Sequence, residues 1–308
     1  MRIGAFMPGY APTPIGAWLA THGWLRELAA RGHEVRVAPL TGRRPGYTLD
    51  GVRVESSLQG TQQAHAVAGW ADVLLSPADG NELTARIAAG TPHVRMVHGP
   101  GSMQFTDADL IIANSESTAK MVTGTVPVVI CRPITRAADH RVEKTGDRVT
   151  LINLTAQKGA HIWSACAKAL PDHQFLGVHG GWGRRVACGG RNILVIDPQS
   201  DMRAVWAQTR ILLMPSESET WGMVGVEAMA SGIPVIASNN PGSRESLGDA
   251  GIFVNRSNIP DWVEAVRQLD DPATYAVASA RARARAAELD SDSDLDRLAA
   301  ALEVLVAD

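Results

Sequence analysis

The chain has 308 residues, of which 45% are hydrophobic and 20% are charged, and its formal net charge is −3 at pH 7. This length suits two domains of about 150 residues each. The near-neutral charge does not indicate a nucleic-acid-binding surface, and the sequence contains no apolar run long enough for a transmembrane helix. Three scattered cysteines without a Cys-x-x-Cys pair favour reduced thiols in the cytoplasm and do not form a zinc motif.

Short apolar runs alternate with helical patterns through the first half, which predicts parallel β-α-β units. The first helix is the clearest, because its apolar residues recur at i, i+3 and i+4 until Gly32 ends it. His22 lies on this apolar stripe and is predicted to pack in the core. The predicted strands span residues 3–6, 34–38, 73–76, 94–98, 110–113 and 128–131.

A polar segment over 134–148 lacks apolar periodicity and is interpreted as a linker. The same alternation then restarts, with predicted strands at 149–153, 174–178, 193–196, 211–214, 233–237 and 252–254. Helical patterns follow to the last residue. The predicted organisation is therefore a first domain over 1–133, the linker, a second domain over 149–290 and a final helix over 291–308.

The most informative stretch follows the predicted strand at 211–214. Glu219 and Glu227 stand eight residues apart, with a glycine turn between them and an apolar helix that carries the second. The helix is predicted to begin near Gly222, where its first turn offers free N–H groups and a positive dipole end to an anion. Glu219 would lie within reach of a ligand's hydroxyls. Glu227 is expected to be buried, and a buried carboxylate needs a partner such as the hydroxyls of a sugar or ribose.

This block resembles the E-x7-E signature of the retaining glycosyltransferases of family 4, which have the GT-B fold. The shared features include the Gly after the first Glu, then Glu-Ala-Met-Ala, Gly-x-Pro-Val-x-Ala and a later Pro-Gly-Ser-Arg-Glu loop. Two glutamates at this spacing would by themselves also fit an ordinary Rossmann unit with surface acids. The resemblance is strong over 149–256 and loose over 1–131.

The resemblance implies an α/β fold with two Rossmann-like domains that face a cleft. The first domain would bind the acceptor, the second would bind the nucleotide sugar, and the last helix would cross back to pack on the first domain. The implied activity is retaining, metal-independent transfer of a hexose from a UDP- or GDP-linked sugar to a small molecule or glycan. No cofactor is expected, and the oligomeric state is not implied.

Three residues are expected to be catalytic. Lys158 lies at a strand-to-helix turn, where a point charge and amide N–H groups suit a phosphate, and the resemblance assigns it to the donor diphosphate. Glu219 would hold hydroxyls of the transferred sugar. His98 ends a predicted strand and would hydrogen-bond a donor hydroxyl, although a plain capping role for this histidine stays open.

The resemblance also implies a set of donor-binding residues. Glu227 would accept hydrogen bonds from the ribose, and the amides at the start of its helix would stabilise charge on the diphosphate. The full set is Glu227, Gly222, Met223, Val224, Gly16, Gly181, Asp197 and Arg184.

The other members of this set have separate expected roles. Gly16 would face the donor phosphates, Gly181 would lie by the nucleotide in a glycine-rich loop, and Asp197 would read the base edge. Many family members carry an arginine where this chain has Asn153. Arg184 or the arginine that follows it is expected to supply the missing charge.

Asp-x-Asp patterns occur at Asp107 and Asp109 and again within 290–296. The first precedes a strand and the second lies in a terminal helix, so neither is expected to bind a metal. Three other functions stay open: a phage-type enzyme that glycosylates a modified DNA base, which the charge does not favour, a sugar-nucleotide epimerase, and a non-catalytic nucleotide-sugar binding module.

Overall fold

A computed structural model describes residues 1–59, 61–78, 82–88, 90–101, 103–289 and 291–307. The chain divides into two compact units, of which the first comprises Met1–Ile134 with Ser291–Asp308 and the second comprises Thr135–Asp290. Residues 290 and 308, which end two of the predicted segments, lie outside the described residues.

The first unit is built on a mostly parallel sheet. Its elements in chain order are β1 (Arg2–Met7), α1 (Gly16–Ala30), β2 (Glu34–Pro39), β3 (Tyr47–Leu49), β4 (Val52–Val54), α2 (Gln62–Trp70), β5 (Val73–Pro77), α3 (Glu82–Ala88), β6 (His93–Val97), β7 (Met103–Gln104), β8 (Leu110–Ala113), α4 (Glu116–Ala119), β9 (Val122–Thr123) and β10 (Val128–Ile130). Over the described residues the sheet order is β10-β8-β6-β5-β1-β2-β4-β3, and β7 pairs separately with β9.

All six strands predicted for this half overlap observed strands, and most of them are apolar runs buried on both faces of the sheet. The exception is β10, which lies at the end of the strand order and is partly exposed. The hairpin of β3 and β4 was missed. Each of its strands has only three residues, which is too short for a readable alternation. Its turn consists of Asp50 (φ 48°) and Gly51 (φ 80°), the left-handed pair that a two-residue hairpin requires.

The second unit is a parallel sheet with helices on both faces. Its elements are α5 (Ala137–His140), β11 (Arg148–Ile152), α6 (Ala160–Ala169), β12 (Phe175–Val178), β13 (Ile193–Ile196), α7 (Arg203–Trp206), β14 (Thr209–Met214), α8 (Met223–Ala230), β15 (Val235–Ser238), α9 (Pro241–Leu247), β16 (Ile252–Val254), α10 (Ile259–Gln268) and α11 (Pro272–Glu288). The sheet order in the described part of the unit is β13-β12-β11-β14-β15-β16. Counted from β11, this is the doubly wound order 3-2-1-4-5-6, whose direction reverses between β11 and β14.

The last helix, α12 (Ser291–Ala307), returns to the first unit, as predicted. Leu295, Leu298 and Leu302 are fully buried in the core of that unit. The buried carboxylate of Asp294 accepts a hydrogen bond from the backbone N–H of Arg132 at 3.0 Å. In the part of the chain that is described, every helix is too short or too polar to span a lipid bilayer.

The segment over 134–148, predicted to be a linker, is almost entirely part of the second unit. The boundary between the units falls after Ile134, and α5 packs against α8 inside the second unit. The N–H of Val142 donates to the hydroxyl of Ser231 at 2.9 Å, which attaches the segment to the end of α8. A backbone contact of this kind leaves no apolar periodicity in the sequence.

Candidate active site

Two loops meet at the point where the strand order of the second sheet reverses. The first joins β11 to α6 and the second joins β14 to α8. The N–H of Glu217 in the second loop donates to the carbonyl of Gln157 in the first at 2.8 Å. Gly159 has a φ of 80°, and a Cβ at this position would lie 2.5 Å from the carbonyl oxygen of Pro215. Only glycine permits so close an approach, and this approach brings the two loops together.

Lys158 and Glu219 form an ion pair across these loops. The Nζ of Lys158 lies 2.6 Å from Oε1 and 2.7 Å from Oε2 of Glu219. The glutamate side chain is 9% exposed and the lysine side chain 23%, so the pair is shielded but reachable. The two side chains were expected to meet different parts of a ligand, and the structure places them in direct contact. An ammonium group has three donors, so Lys158 can bind a phosphate oxygen while it still contacts Glu219.

The helix that carries the second glutamate begins where it was predicted to begin. Gly222 is the residue before α8 and has a φ of 85°. This left-handed turn favours glycine, and a Cβ on Gly222 would stand 2.8 Å from the Cε of Met214, so a larger residue would also displace that flexible side chain. Met223 and Val224 form the partly exposed first turn. Glycine has no side chain to cap the first N–H groups, which leaves them suited to an anion.

Glu227 is buried inside α8, with 7% of its surface exposed. None of the described residues makes a hydrogen bond to its Oε2, and Nδ1 of His140 lies 3.9 Å from that oxygen. Burial raises the pKa of this carboxyl from 4.5 to about 7, because removal from water disfavours the charged form. A buried acceptor of this kind can bind hydroxyl groups.

The loop after β12 contains two of the expected donor residues, Gly181 and Arg184, and both are exposed. Asp197, after β13, is also exposed and lies 3.9 Å from Arg185. Neighbouring charges therefore face each other at this edge of the sheet.

Asn153 occupies the position where many family members have arginine, and it adopts a left-handed φ of 66°. Its side chain is buried against the glycine-rich loop, since a Cβ on Gly180 would come within 2.3 Å of its Cγ. Asn153 fills this space without a charge.

Two expected residues lie in the first unit. Gly16 is the first residue of α1, is exposed, and would have open space around a Cβ. His98 follows β6, with its Nε2 3.0 Å from the hydroxyl of Thr21 and its ring stacked on Trp24 at 4.9 Å. Burial lowers the pKa of His98 to about 4, so its imidazole is neutral at neutral pH. A neutral imidazole suits hydrogen bonding to a hydroxyl.

His22 is buried on α1, as predicted. It also has polar partners that the apolar pattern did not predict. Its Nδ1 lies 3.0 Å from the hydroxyl of Tyr10, and its Nε2 lies 3.0 Å from Oδ2 of Asp50.

The first Asp-x-Asp pair has partners within the protein. Asp107 forms an ion pair with the buried Arg95, and Oδ2 of Asp109 accepts from the backbone N–H of His93 at 2.8 Å. No group of three or more potential metal ligands is found among the described residues.

Two further residues lie beside the loops: Arg256, which the sequence did not single out, and Gly242, which belongs to the Pro-Gly-Ser-Arg-Glu loop of the resemblance but had no assigned role. Arg256 follows β16, and its Nε and Nη2 donate to the carbonyls of Pro215 and Ala156, each at 3.0 Å. Gly242 packs against the loop that joins β14 to α8, because a Cβ there would lie 2.3 Å from the carbonyl oxygen of Glu219. The available signal was position, since both residues follow the carboxyl ends of predicted strands, where open α/β sheets bind ligands.

The architecture matches solved structures over essentially the whole chain. HepE of Anabaena, solved in complex with UDP-glucose, superposes with a TM-score of 0.79 at 15% identity, covering 99% of this chain and 100% of that one. Sucrose-phosphate synthase from Thermosynechococcus elongatus gives a TM-score of 0.78 at 15% identity, with both chains fully covered. The fold is GT-B. The predicted fold class is thereby confirmed.

Sequence comparison adds a narrower match within the GT-B chain. A family model described as "Glycosyl transferases group 1" matches residues 164–271, which include Glu219 and Glu227 but not Lys158. D-inositol 3-phosphate glycosyltransferase of Corynebacterium aurimucosum is 34% identical over 87 residues, which is 27% of this chain and 21% of that enzyme. The corresponding enzyme of Pseudarthrobacter chlorophenolicus is 39% identical over 75 residues, 23% of this chain and 18% of that enzyme. The matched segments thus span about a fifth of these relatives.

Proposed function

We propose that the chain is a retaining, metal-independent glycosyltransferase of family 4 that uses a nucleoside-diphosphate sugar. The observation that carries the proposal is the Lys158–Glu219 pair, which lies at the strand-order reversal beside the N-terminus of α8. The GT-B fold and the group 1 match over 164–271 support it. Matches to inositol-phosphate glycosyltransferases and to a protein bound to UDP-glucose favour UDP as the nucleotide and a phosphorylated polyol as the first acceptor to test.

In the proposed reaction, the bond between the anomeric carbon and the diphosphate oxygen breaks, and its electron pair leaves with the diphosphate. The acceptor hydroxyl attacks from the face that the diphosphate leaves, and its proton passes to a phosphate oxygen. Negative charge on the diphosphate grows in the transition state, so groups that bind this charge more tightly there accelerate the reaction.

Lys158 and the N-terminus of α8 are the groups proposed to stabilise that charge. The contact with Glu219 holds the ammonium in one place, which reduces the entropy lost when it binds a phosphate oxygen. Glu219 has further acceptor capacity on both oxygens and would use it for hydroxyls of the transferred sugar.

Glu227 is proposed to bind the ribose. Its side chain is 7% exposed and its Oε2 has no hydrogen-bond partner among the described residues, so vicinal hydroxyls that reach the carboxylate would replace the hydration that burial removed. Because the pKa of Glu227 is about 7, a fraction of the molecules carries a protonated Glu227 near neutral pH. These molecules would have to lose that proton before the carboxylate could bind the ribose.

In the first unit, His98 is proposed to hydrogen-bond a sugar hydroxyl as a neutral imidazole, and Gly16 to leave space for the donor phosphates. Gly181, Arg184 and Asp197 are proposed to lie along the nucleotide, since all three are exposed at loops that follow β12 and β13.

A donor panel tests the proposal. UDP- and GDP-linked hexoses are incubated with and without inositol phosphates, release of free nucleotide is measured, and nucleotide binding is followed by calorimetry. Nucleotide release that requires Lys158 supports the proposal. Conversion of a donor to its isomer without nucleotide release would indicate an epimerase, and binding without any turnover would indicate a non-catalytic module.

A further inference from the structure

One arginine joins the loops of the candidate site from a distant part of the sheet. Arg256 follows β16, which is separated from β14 by β15 and from β11 by two strands. Its side chain is partly buried, and its Nε donates to the carbonyl of Pro215 while its Nη2 donates to the carbonyl of Ala156. Pro215 opens the loop that carries Glu219, and Ala156 lies two residues before Lys158.

The contacts of Arg256 are with the backbone. Among the described residues it has no carboxylate within ion-pair distance, and its two hydrogen bonds, both 3.0 Å, end on carbonyl oxygens of different loops. A planar guanidinium offers donors in a fixed fork, so two acceptors held by one fork keep a fixed separation. The charge of Arg256 is therefore used to fix the distance between two loops.

We propose that Arg256 is a positioning residue that sets the distance between Lys158 and Glu219. The inference rests on the proposed function of that pair. The loops are also linked by the N–H of Glu217, which donates to Gln157 at 2.8 Å, and by the packing of Gly159 on Pro215. Along both loops, the bond between Glu217 and Gln157 lies between the arginine's two acceptors and the ion pair, and the second contact joins Pro215 to the residue after Lys158. A displacement of the loops therefore changes the separation of Nζ and the carboxylate, and displacements of about 1 Å can lower rates about 100-fold.

A purely structural role for Arg256 is the competing explanation, and Arg285 serves as a control, with the difference that its Nη1 also pairs with Glu288 at 3.3 Å. Arg285 also donates to two backbone carbonyls, those of Ser246 at 3.0 Å and Glu245 at 2.7 Å. Both acceptors lie near the end of α9, about one helical turn beyond Gly242, which is the residue of α9 that packs on the loop after β14. Substitution of either arginine by lysine keeps the charge and removes a two-pronged backbone contact. Only the substitution at position 256 releases the loops of the site.

The first test compares Arg256→Lys with Arg285→Lys. Melting temperature, KM for the donor and kcat for nucleotide release are measured for both. We expect similar losses of melting temperature, a kcat about 10- to 100-fold lower for Arg256→Lys, and a kcat within about threefold of the unmodified protein for Arg285→Lys. Equal kcat values for the two variants would overturn the proposal.

Two further measurements separate positioning from stability and from the proposed function. Millimolar guanidinium, far below denaturing concentrations, should restore kcat to Arg256→Ala by occupying the vacated position, and absence of rescue would count against the proposal. The amide of Glu217 should exchange with solvent at least about tenfold faster in Arg256→Lys than in Arg285→Lys, because its bond to Gln157 spans the loops. If the unmodified protein turns over no donor, the proposed function fails, while this exchange ratio still decides the role of Arg256.

Discussion

Replacing Glu227 by glutamine should stabilise the protein at alkaline pH and leave its stability unchanged in acid. The carboxyl is 7% exposed, and burial raises its pKa from 4.5 to about 7. Between these two values the folded protein binds more protons at Glu227 than the unfolded chain does. This group therefore makes the free energy of unfolding fall as pH rises through that window.

The size of the effect follows from the two pKa values. Between the two pKa values, each pH unit lowers the free energy of unfolding by about 1.4 kcal/mol. Over the interval from 4.5 to about 7, the loss reaches about 3 kcal/mol. Glutamine has nearly the same shape and carries no charge, so Glu227→Gln removes this cost. The gain in the free energy of unfolding should be near zero at about pH 4.5 and should reach about 3 kcal/mol above about pH 7.5.

Urea unfolding across this pH range measures the difference directly. Glu264→Gln is the matched control, because Glu264 is an exposed carboxylate on α10 of the same unit. A stability difference between Glu227→Gln and the unmodified protein that does not change with pH would contradict a raised pKa of Glu227. Such a result would mean that the buried carboxyl keeps an ordinary pKa.

The same substitution should weaken nucleotide binding if Glu227 holds the ribose. A hydrogen bond to a charged acceptor contributes about 1.5–3 kcal/mol, which corresponds to a Kd for free UDP about 10- to 100-fold higher at alkaline pH. Below the pKa of Glu227, the unmodified protein should lose affinity about tenfold per pH unit, and the variant should not. An unchanged Kd in a correctly folded variant would exclude this role.

Three further predictions concern the reaction. Lys158→Ala should lower kcat more than it raises KM for the donor, because leaving-group charge grows in the transition state; unchanged turnover at saturating donor would assign that role to another cation. Activity should survive EDTA, since Lys158 and the N-terminus of α8 are proposed to replace a metal; loss of activity that Mn²⁺ or Mg²⁺ restores would contradict this and reopen Asp107 and Asp109. The product should keep the anomeric configuration of the donor, as read from the NMR coupling constant of freshly formed product; inversion would call for a general base such as His22 or His98.

Local sequence features determined much of the fold. Apolar runs of three to five residues between helical patterns predicted the strands, since burial on both faces of a parallel sheet requires such runs. The start of α8 just after Gly222 could also be predicted, because a left-handed turn depends on a few neighbouring residues. The β3–β4 hairpin has too few residues for a periodic signal.

The candidate site was only partly readable in this way. The E-x7-E spacing singled out Glu219 and Glu227, and the strand-to-helix turn singled out Lys158. Direct pairing of Lys158 with Glu219, 61 residues further along the chain, was not predicted. It depends on β11 and β14 being neighbours in the sheet, and strand order is not encoded in the local pattern of either strand.

Long-range packing decided the remaining features. Arg256 reaches Ala156, 100 residues away in sequence, and His140 comes within 3.9 Å of Glu227 through a segment that had been interpreted as a linker. The pKa of Glu227 likewise depends on the elements that remove water from α8. Sequence periodicity reports which face of an element is buried, whereas the partner of each side chain and its electrostatic environment exist only once distant segments have packed together.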